Sequence, residues 1–226
     1  MSENPVVNEL LQQRDVLLSY WRRPSRDWVP PVEVLEDDNL ITRVVRSGRP
    51  WEGWLTPLII RYTDRAKVSL DIGANVGSHT VTLAEHSQTV HAFEPMPDTF
   101  AVLSRNAARF SNIVLHQVAA SSAPGTAHLI RSSRNYGAAY IGDDAPGVDI
   151  TCIRIDDLTF NAPVGFIKID VEGHEAQALE GCRQTIARDQ PIIILEDTTH
   201  SRGMLTQMGY RCRRISLYDF LCVPPA

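Results

Sequence analysis

Two short segments concentrate the residues able to do chemistry. The first is Asp71-Ile72-Gly73-Ala74-Asn75-Val76-Gly77-Ser78-His79-Thr80, which follows the apolar run Val68-Ser69-Leu70. A strand that ends in an acid and a glycine-rich turn lets backbone approach a ligand closely, because glycine has no Cβ in the way. The helix predicted behind the turn presents free N–H groups and a partial positive charge, which suit an anionic group. The glycines run Gly73-x-x-x-Gly77, which is neither the G-x-G-x-x-G of a dinucleotide fold nor a phosphate loop, since no Gly-Lys-Ser/Thr follows. A purely structural strand-to-helix turn is the plainer alternative. The second segment is Ile167-Lys168-Ile169-Asp170-Val171-Glu172-Gly173-His174-Glu175. If extended, it puts Lys168, Asp170, Glu172 and His174 on one face. Asp170 or Glu172 could accept a proton from a hydroxyl, and His174 could do so near neutral pH. A structural ion-pair network is the rival reading. A divalent metal on Asp170, Glu172 and His174 fits no standard ligand spacing, so no metal is expected.

These segments need a scaffold, and the pattern of the chain supplies one. From Lys67 onward short apolar strands alternate with helical patterns, the signature of a doubly wound, Rossmann-like α/β sheet. Strands are predicted at Val68–Asp71, Thr89–Glu94, Ile113–Val118, Phe166–Asp170 and Pro191–Glu196, with helices at Thr80–His86, Pro97–Phe110, Ala176–Arg188 and Met204–Met208. Ala127–Ile130 and Ile150–Ile155 read as lesser β segments, and Tyr210–Ile215 with Ser216–Val223 as a closing antiparallel hairpin. Residues 1–65 differ. Asn8 to Trp21 is amphipathic, Trp21 to Pro31 is broken by prolines, and Leu40–Arg46 and Glu52–Tyr62 suit short helices. A mostly helical N-terminal cap over residues 1–65 on a main domain of residues 66–226 is the expected organisation.

Glu94 lies 23 positions after Asp71, at the end of the second strand. An acid there accepts hydrogen bonds from ribose hydroxyls in nucleotide-binding α/β folds, and a carboxylate suits two vicinal hydroxyls. Phe93, Pro95 and Met96 would give apolar contact beside a base. Ala119 and its small neighbours after the third strand would leave room for it. Glu196, ending the fifth strand, would emerge on the same sheet edge as Asp170, with Asp197 and His200 beyond. The loop from Arg131 through Arg134 and Tyr136 to Ala138 is basic and polar, and could order over an acceptor.

The segments LDIGANVGSHT, AFEPMPDTF, NIVLHQVAASSAPG, FIKIDVEGHEAQALEG and PIIILE, in this order and spacing, resemble the FkbM-type S-adenosylmethionine-dependent methyltransferases, a class I methyltransferase family. The match runs from about Val68 to Glu196, with Trp51-Glu52 similar to the family's acidic lead-in. The resemblance implies S-adenosylmethionine as cofactor, held by Asp71, Gly73, Asn75, Gly77 and Glu94, with His79, Thr80, Pro95, Ala119 and Asp170 joining that set. It places Asp170, Glu172 and His174 at the reactive end without naming the base. It implies methylation of a hydroxyl on a small natural product or sugar; the loop and strand-end positions separately make Arg134, Tyr136, Glu196 and His200 candidate acceptor contacts. N- or carboxyl-methylation of a peptide or small acid is the alternative. A nicotinamide-dependent oxidoreductase and a non-catalytic cofactor-binding module are more distant rivals.

Composition narrows the rest. The net charge of −5 gives no general attraction for nucleic acid or anionic membrane. No apolar stretch reaches membrane-spanning length and the N-terminus lacks a signal-peptide pattern, so a cytoplasmic protein is expected, with a homodimer compatible. Cys152, Cys182, Cys212 and Cys222 are widely spaced and read as free thiols rather than disulfides or a zinc site.

Overall fold

The computed structural model describes residues 31–35, 41–131, 139–142, 145–197 and 200–225. Five parallel strands form its centre: β1 (Val68–Ile72), β2 (Thr89–Phe93), β3 (Ile113–His116), β8 (Val164–Ile169) and β9 (Ile192–Glu196). The hairpin β10 (Arg211–Arg214) and β11 (Asp219–Val223) extends the sheet antiparallel from β9, giving the order β10-β11-β9-β8-β1-β2-β3. Residues of β1 and of Phe166–Ile169 in β8 are buried throughout, as expected for strands covered on both faces. The chain winds one way from β1 to β3 and the other way from β8 to β9. The crevice at the carboxyl ends of β1 and β8 is therefore the topological switch point, where open α/β sheets bind ligands.

Between β3 and β8 lies a second sheet that the sequence only hinted at. It comprises β4 (Ala119–Ala120), β5 (Gly125–Arg131), β6 (Ala139–Ile141) and β7 (Val148–Ile153), in the order β4-β7-β5-β6. Its inward residues Ala119, Leu129, Ile150 and Cys152 pack with Met96 into a small core of their own.

Two further departures have local causes. The helix expected over Ala176–Arg188 is broken into Glu175–Gly181 and Arg183–Asp189. Gly181 lies so close to β4 that an added Cβ would stand 2.0 Å from the Ser121 carbonyl oxygen. Cys212 and Cys222, expected as free thiols, face each other across β10 and β11 and form a disulfide. Residues ten apart in sequence become direct partners once the hairpin closes, while Cys152 and Cys182 stay free and buried.

Of the N-terminal region, the helices Ile41–Arg46 and Thr56–Tyr62 lie close to the expected spans, whereas Asn8–Trp21 and most of Trp21–Pro31 lie outside the described residues. Leu55, Leu58 and Ile59 are buried in one cluster with Leu83, Val90, Phe166 and Leu221. Ile41 joins Val76 and Val102 in another. Truncating a fully buried aliphatic side chain costs about 2–5 kcal/mol when the site is integral to a core. Ile59→Ala should therefore lower the unfolding free energy of the whole protein by roughly that amount in a single denaturant transition. A separate early transition, or a loss under about 0.5 kcal/mol, would show this helix to be an appendage.

Candidate active site

The turn after β1 is built on unusual backbone. Gly73 and Gly77 have φ of 82° and 90°, and Asn75 between them has φ of 52°. The N–H groups of Gly73 and Ala74 both donate to the Phe93 carbonyl, at 3.0 and 2.9 Å, which ties the turn to the end of β2. A Cβ on Gly73 would stand 1.7 Å from the Asp170 carbonyl oxygen, so only glycine lets β1 and β8 close at this level. Asn75 donates its N–H to Glu94 Oε2 at 3.0 Å, and Met96 donates to Oε1 at 2.8 Å. Burial pushes the Glu94 carboxyl up to about 7 against these two hydrogen bonds. Each oxygen keeps a lone pair beyond its backbone partner.

Across the switch point, Lys168 is buried and donates to Asp170 Oδ2 at 2.8 Å. Burial alone would lower the Lys168 ammonium, but Asp170, Asp71 and Glu52 outweigh it and hold it well above its ordinary range. Burial would raise Asp170. Lys168 and a hydrogen bond from Glu196 win and keep it ionised, while burial and that same hydrogen bond push Glu196 upward. The two carboxyls share this hydrogen bond, so a proton lies between them. Glu172 has no hydrogen-bond partner among the described residues, and burial and the neighbouring Asp170 and Glu175 push it up to about 7. His174 Nε2 lies 3.0 Å from Ser121 Oγ, and burial lowers its pKa.

The strand geometry differs from the extended alternation read from sequence. β8 ends at Ile169, and Glu172 and Gly173 then adopt φ of 50° and 97°. A left-handed pair turns the chain back, so Glu172 and His174 reach the crevice from a tight turn rather than along a strand face. His174 is the residue just before the helix Glu175–Gly181.

One open cleft joins these groups. Gly73, Asn75, Glu94, Pro95, Ala119, Asp170, Glu172, His174 and Glu196 all line it. Asp71, Gly77, His79 and Thr80 do not. Asp71 is fully buried beneath the turn and accepts a 2.5 Å hydrogen bond from Thr80 Oγ1. His79 Nε2 lies 3.1 Å from Glu52 Oε2, and Gly77 precedes the helix Ser78–His86. These four shape the site from behind. His200 is exposed outside the cleft, and Arg134 and Tyr136 lie outside the described residues.

Ile41, Thr99 and the small-sheet residues Leu129, Ala139, Ile141 and Ile150, not expected at the site, also form the cleft wall. Trp51 and Glu52, expected only as a lead-in, line it too. No sequence signal marks these residues, whereas backbone strain in the structure marks the cleft itself. Of five non-glycine residues with positive φ among those described, Glu52, Asn75 and Glu172 line this one cleft. Such conformations persist only where surrounding structure imposes them, and they gather at functional sites.

A parallel sheet with its cleft at the switch point, a glycine turn after the first strand and an acid ending the second define a class I methyltransferase fold. Residues 71–212 match the Methyltransferase FkbM domain family, and the chain belongs to it. The hexuronic acid methyltransferase AglP of Haloferax volcanii is 28% identical over 141 residues, covering 61% of this chain. The chain spans 59% of that relative's length. The methyltransferase FkbM of Methylobacillus flagellatus KT shares the fold at a TM-score of 0.54 and 20% identity, over 94% of this chain and 54% of that one.

The residues present fit S-adenosylmethionine, the methyl donor of this domain type. Glu94 has free acceptor positions for vicinal hydroxyls. Thr99 Oγ1 is buried in the cleft wall with no partner among the described residues. The donor carries a sulfonium and an ammonium against one carboxylate, and an acid-lined cleft suits that net positive charge. The close approach at Gly73 is directly testable. Gly73→Ala adds both backbone strain and a contact with β8, so unfolding free energy should fall by about 2–4 kcal/mol in denaturant titration. An unchanged midpoint would mean that the turn relaxes without cost.

Proposed function

We propose that the protein transfers a methyl group from S-adenosylmethionine to a hydroxyl oxygen of a small molecule, most simply a sugar or a related natural product. The observation that carries this reading is that one cleft holds both halves of the chemistry. Gly73, Asn75, Glu94, Pro95 and Ala119 line the side nearest β2 and the small sheet, and Asp170, Glu172, His174 and Glu196 line the β8 and β9 side. The hexuronic acid methyltransferase among the relatives supports a sugar acceptor.

Bound in the cleft, S-adenosylmethionine supplies an electrophilic methyl group on a cationic sulfur. Glu94 would hold the ribose. The glycine turn would admit the amino-acid end against backbone, with Asp71, Gly77, His79 and Thr80 holding that turn in shape. Positioning of this kind contributes roughly 7–11 kcal/mol in well-aligned systems. The acceptor proton would pass to Glu172. Of the three acids at the reactive end, Asp170 is committed to Lys168 and Glu196, and Glu196 to Asp170. Glu172 alone is unengaged, and its value near 7 matches a base working at neutral pH. His174 would orient the turn through Ser121.

Glu172 must be ionised to accept the proton, so the rate should rise with pH and level off above about 7. Methyl transfer followed as S-adenosylhomocysteine release should show this limb. Glu172→Gln should remove it and lower kcat by about 10²–10⁴-fold, with S-adenosylhomocysteine affinity preserved. A Gln variant of near-normal rate and unaltered pH profile would remove Glu172 from this role. S-adenosylhomocysteine that fails to bind the native protein would remove the whole reading.

A further inference from the structure

The turn that presents Glu172 is anchored by a carboxyl that does not itself line the cleft. Upstream, Asp170 donates its N–H to the Ile72 carbonyl at 3.0 Å, which fixes the start of the turn on β1. Glu172 and Gly173 then adopt left-handed backbone, with φ of 50° and 97°. For glutamate that conformation is costly, and it lasts only where surrounding structure imposes it. Packing does not impose it at Gly173, since a Cβ placed there would meet nothing within 4 Å. The restraint there is hydrogen bonding. Glu175 is 0% exposed, and its Oε1 accepts the Gly173 N–H at 2.8 Å. His174 donates its own N–H to the Val171 carbonyl at a longer 3.3 Å, and its ring meets Ser121.

We infer that Glu175 is the positioning residue of this turn: its buried carboxylate takes the Gly173 N–H, locks the left-handed pair, and sets a negative charge behind Glu172. This rests on the reading of Glu172 as the base in methyl transfer. A carboxylate that accepts a backbone N–H makes a charge-assisted hydrogen bond, about twice as strong as a neutral one. Such a bond suits a turn that must hold a non-glycine residue in the left-handed region.

The charge of Glu175 acts on Glu172 as well. Glu172 is faced by Asp170 and Lys168 from β8, Glu196 from β9, Glu52 from the N-terminal region and His174 from its own turn. Burial raises it most, Asp170 next and Glu175 third, while Lys168 opposes them and Glu52 adds a smaller upward push. Asp170 is bound to Lys168, so its charge cannot be removed without disturbing that pair. Glu175 separates more cleanly. Glutamine there keeps an oxygen able to accept the Gly173 N–H but carries no charge, and alanine removes both.

The test follows the Glu172 carboxyl carbon by carbon-13 NMR across pH, in the full chain labelled at its glutamate carboxyls. Its resonance is identified by its absence from Glu172→Gln, and amide hydrogen exchange at Gly173 is read in parallel. Native Glu172 should titrate at about 7. Glu175→Gln should leave Gly173 protected and move the Glu172 midpoint down by about half a pH unit or more, because a like charge that disfavours its ionised form is gone. Glu175→Ala should speed Gly173 exchange by about 3–10-fold, the loss of one net hydrogen bond. An unmoved Glu172 midpoint in the Gln variant overturns the inference, as does a Gly173 amide equally protected in the Ala variant. If the Ala variant does not fold, the midpoint in the Gln variant decides alone. Failure confined to the Glu175 variants, with native Glu172 near 7, leaves Glu172 standing as the base. A native Glu172 in the ordinary carboxylate range overturns that assignment and this role together.

Discussion

The structure turns on a buried ammonium. Lys168 is 4% exposed in the middle of a parallel sheet, beside Asp71 in register and 2.8 Å from Asp170. Burying an ion costs several kcal/mol unless it is paired and hydrogen-bonded. Those partners must therefore sit where strand register puts them. Asp71 and Lys168 are direct neighbours across β1 and β8, and Asp170 follows at the point where β8 ends. The pairing lowers Asp170, while burial first and Asp170 second push Glu196 and Glu172 upward. One internal cation thus anchors the lowest of three carboxyls that the fold has brought together, and burial raises the other two.

The backbone meets the same demand in another way. The chain reaches the cleft at Glu52, Asn75 and Glu172 in left-handed conformations that ordinary residues avoid, and at Gly73 in one that only glycine fits. Each deviation lets a turn end close to the ligand crevice instead of continuing a helix or strand past it. The cost is borne by the rigid sheet beneath, whose central strands are almost wholly buried. Charge and strain therefore coincide at the carboxyl ends of β1, β2, β8 and β9.

Much of this was legible in the residues alone. The parallel strands announce themselves as continuous apolar runs such as Ile192–Leu195, and the acids at their ends as polar residues where burial stops. The closing hairpin was also visible as two adjacent short segments, Tyr210–Ile215 and Ser216–Val223. The small sheet was not, because β4 and β6 span only two and three residues and their pairing partners are distant in sequence. Period-2 alternation carries no weight at that length. The alternation of Lys168, Asp170, Glu172 and His174 suggested a strand face. Gly173 was the warning that the chain turns there, and Glu172 joins it in the left-handed region. The roles of Asp71 and Thr80 depended on depth below the turn, which no spacing reveals. A helix break at Cys182 likewise follows from the contact of Gly181 with Ser121, far away in the chain.

The central claim is that one cleft, organised by Lys168, places a nucleoside on Glu94 and the reacting carbon beside Asp170 and Glu172. A crystal structure of the protein with S-adenosylhomocysteine tests it most directly. The account predicts both ribose hydroxyls within hydrogen-bond distance of Glu94, with the sulfur facing the Asp170–Glu172 turn. A ligand bound outside the cleft, or one with its ribose away from Glu94, would contradict it.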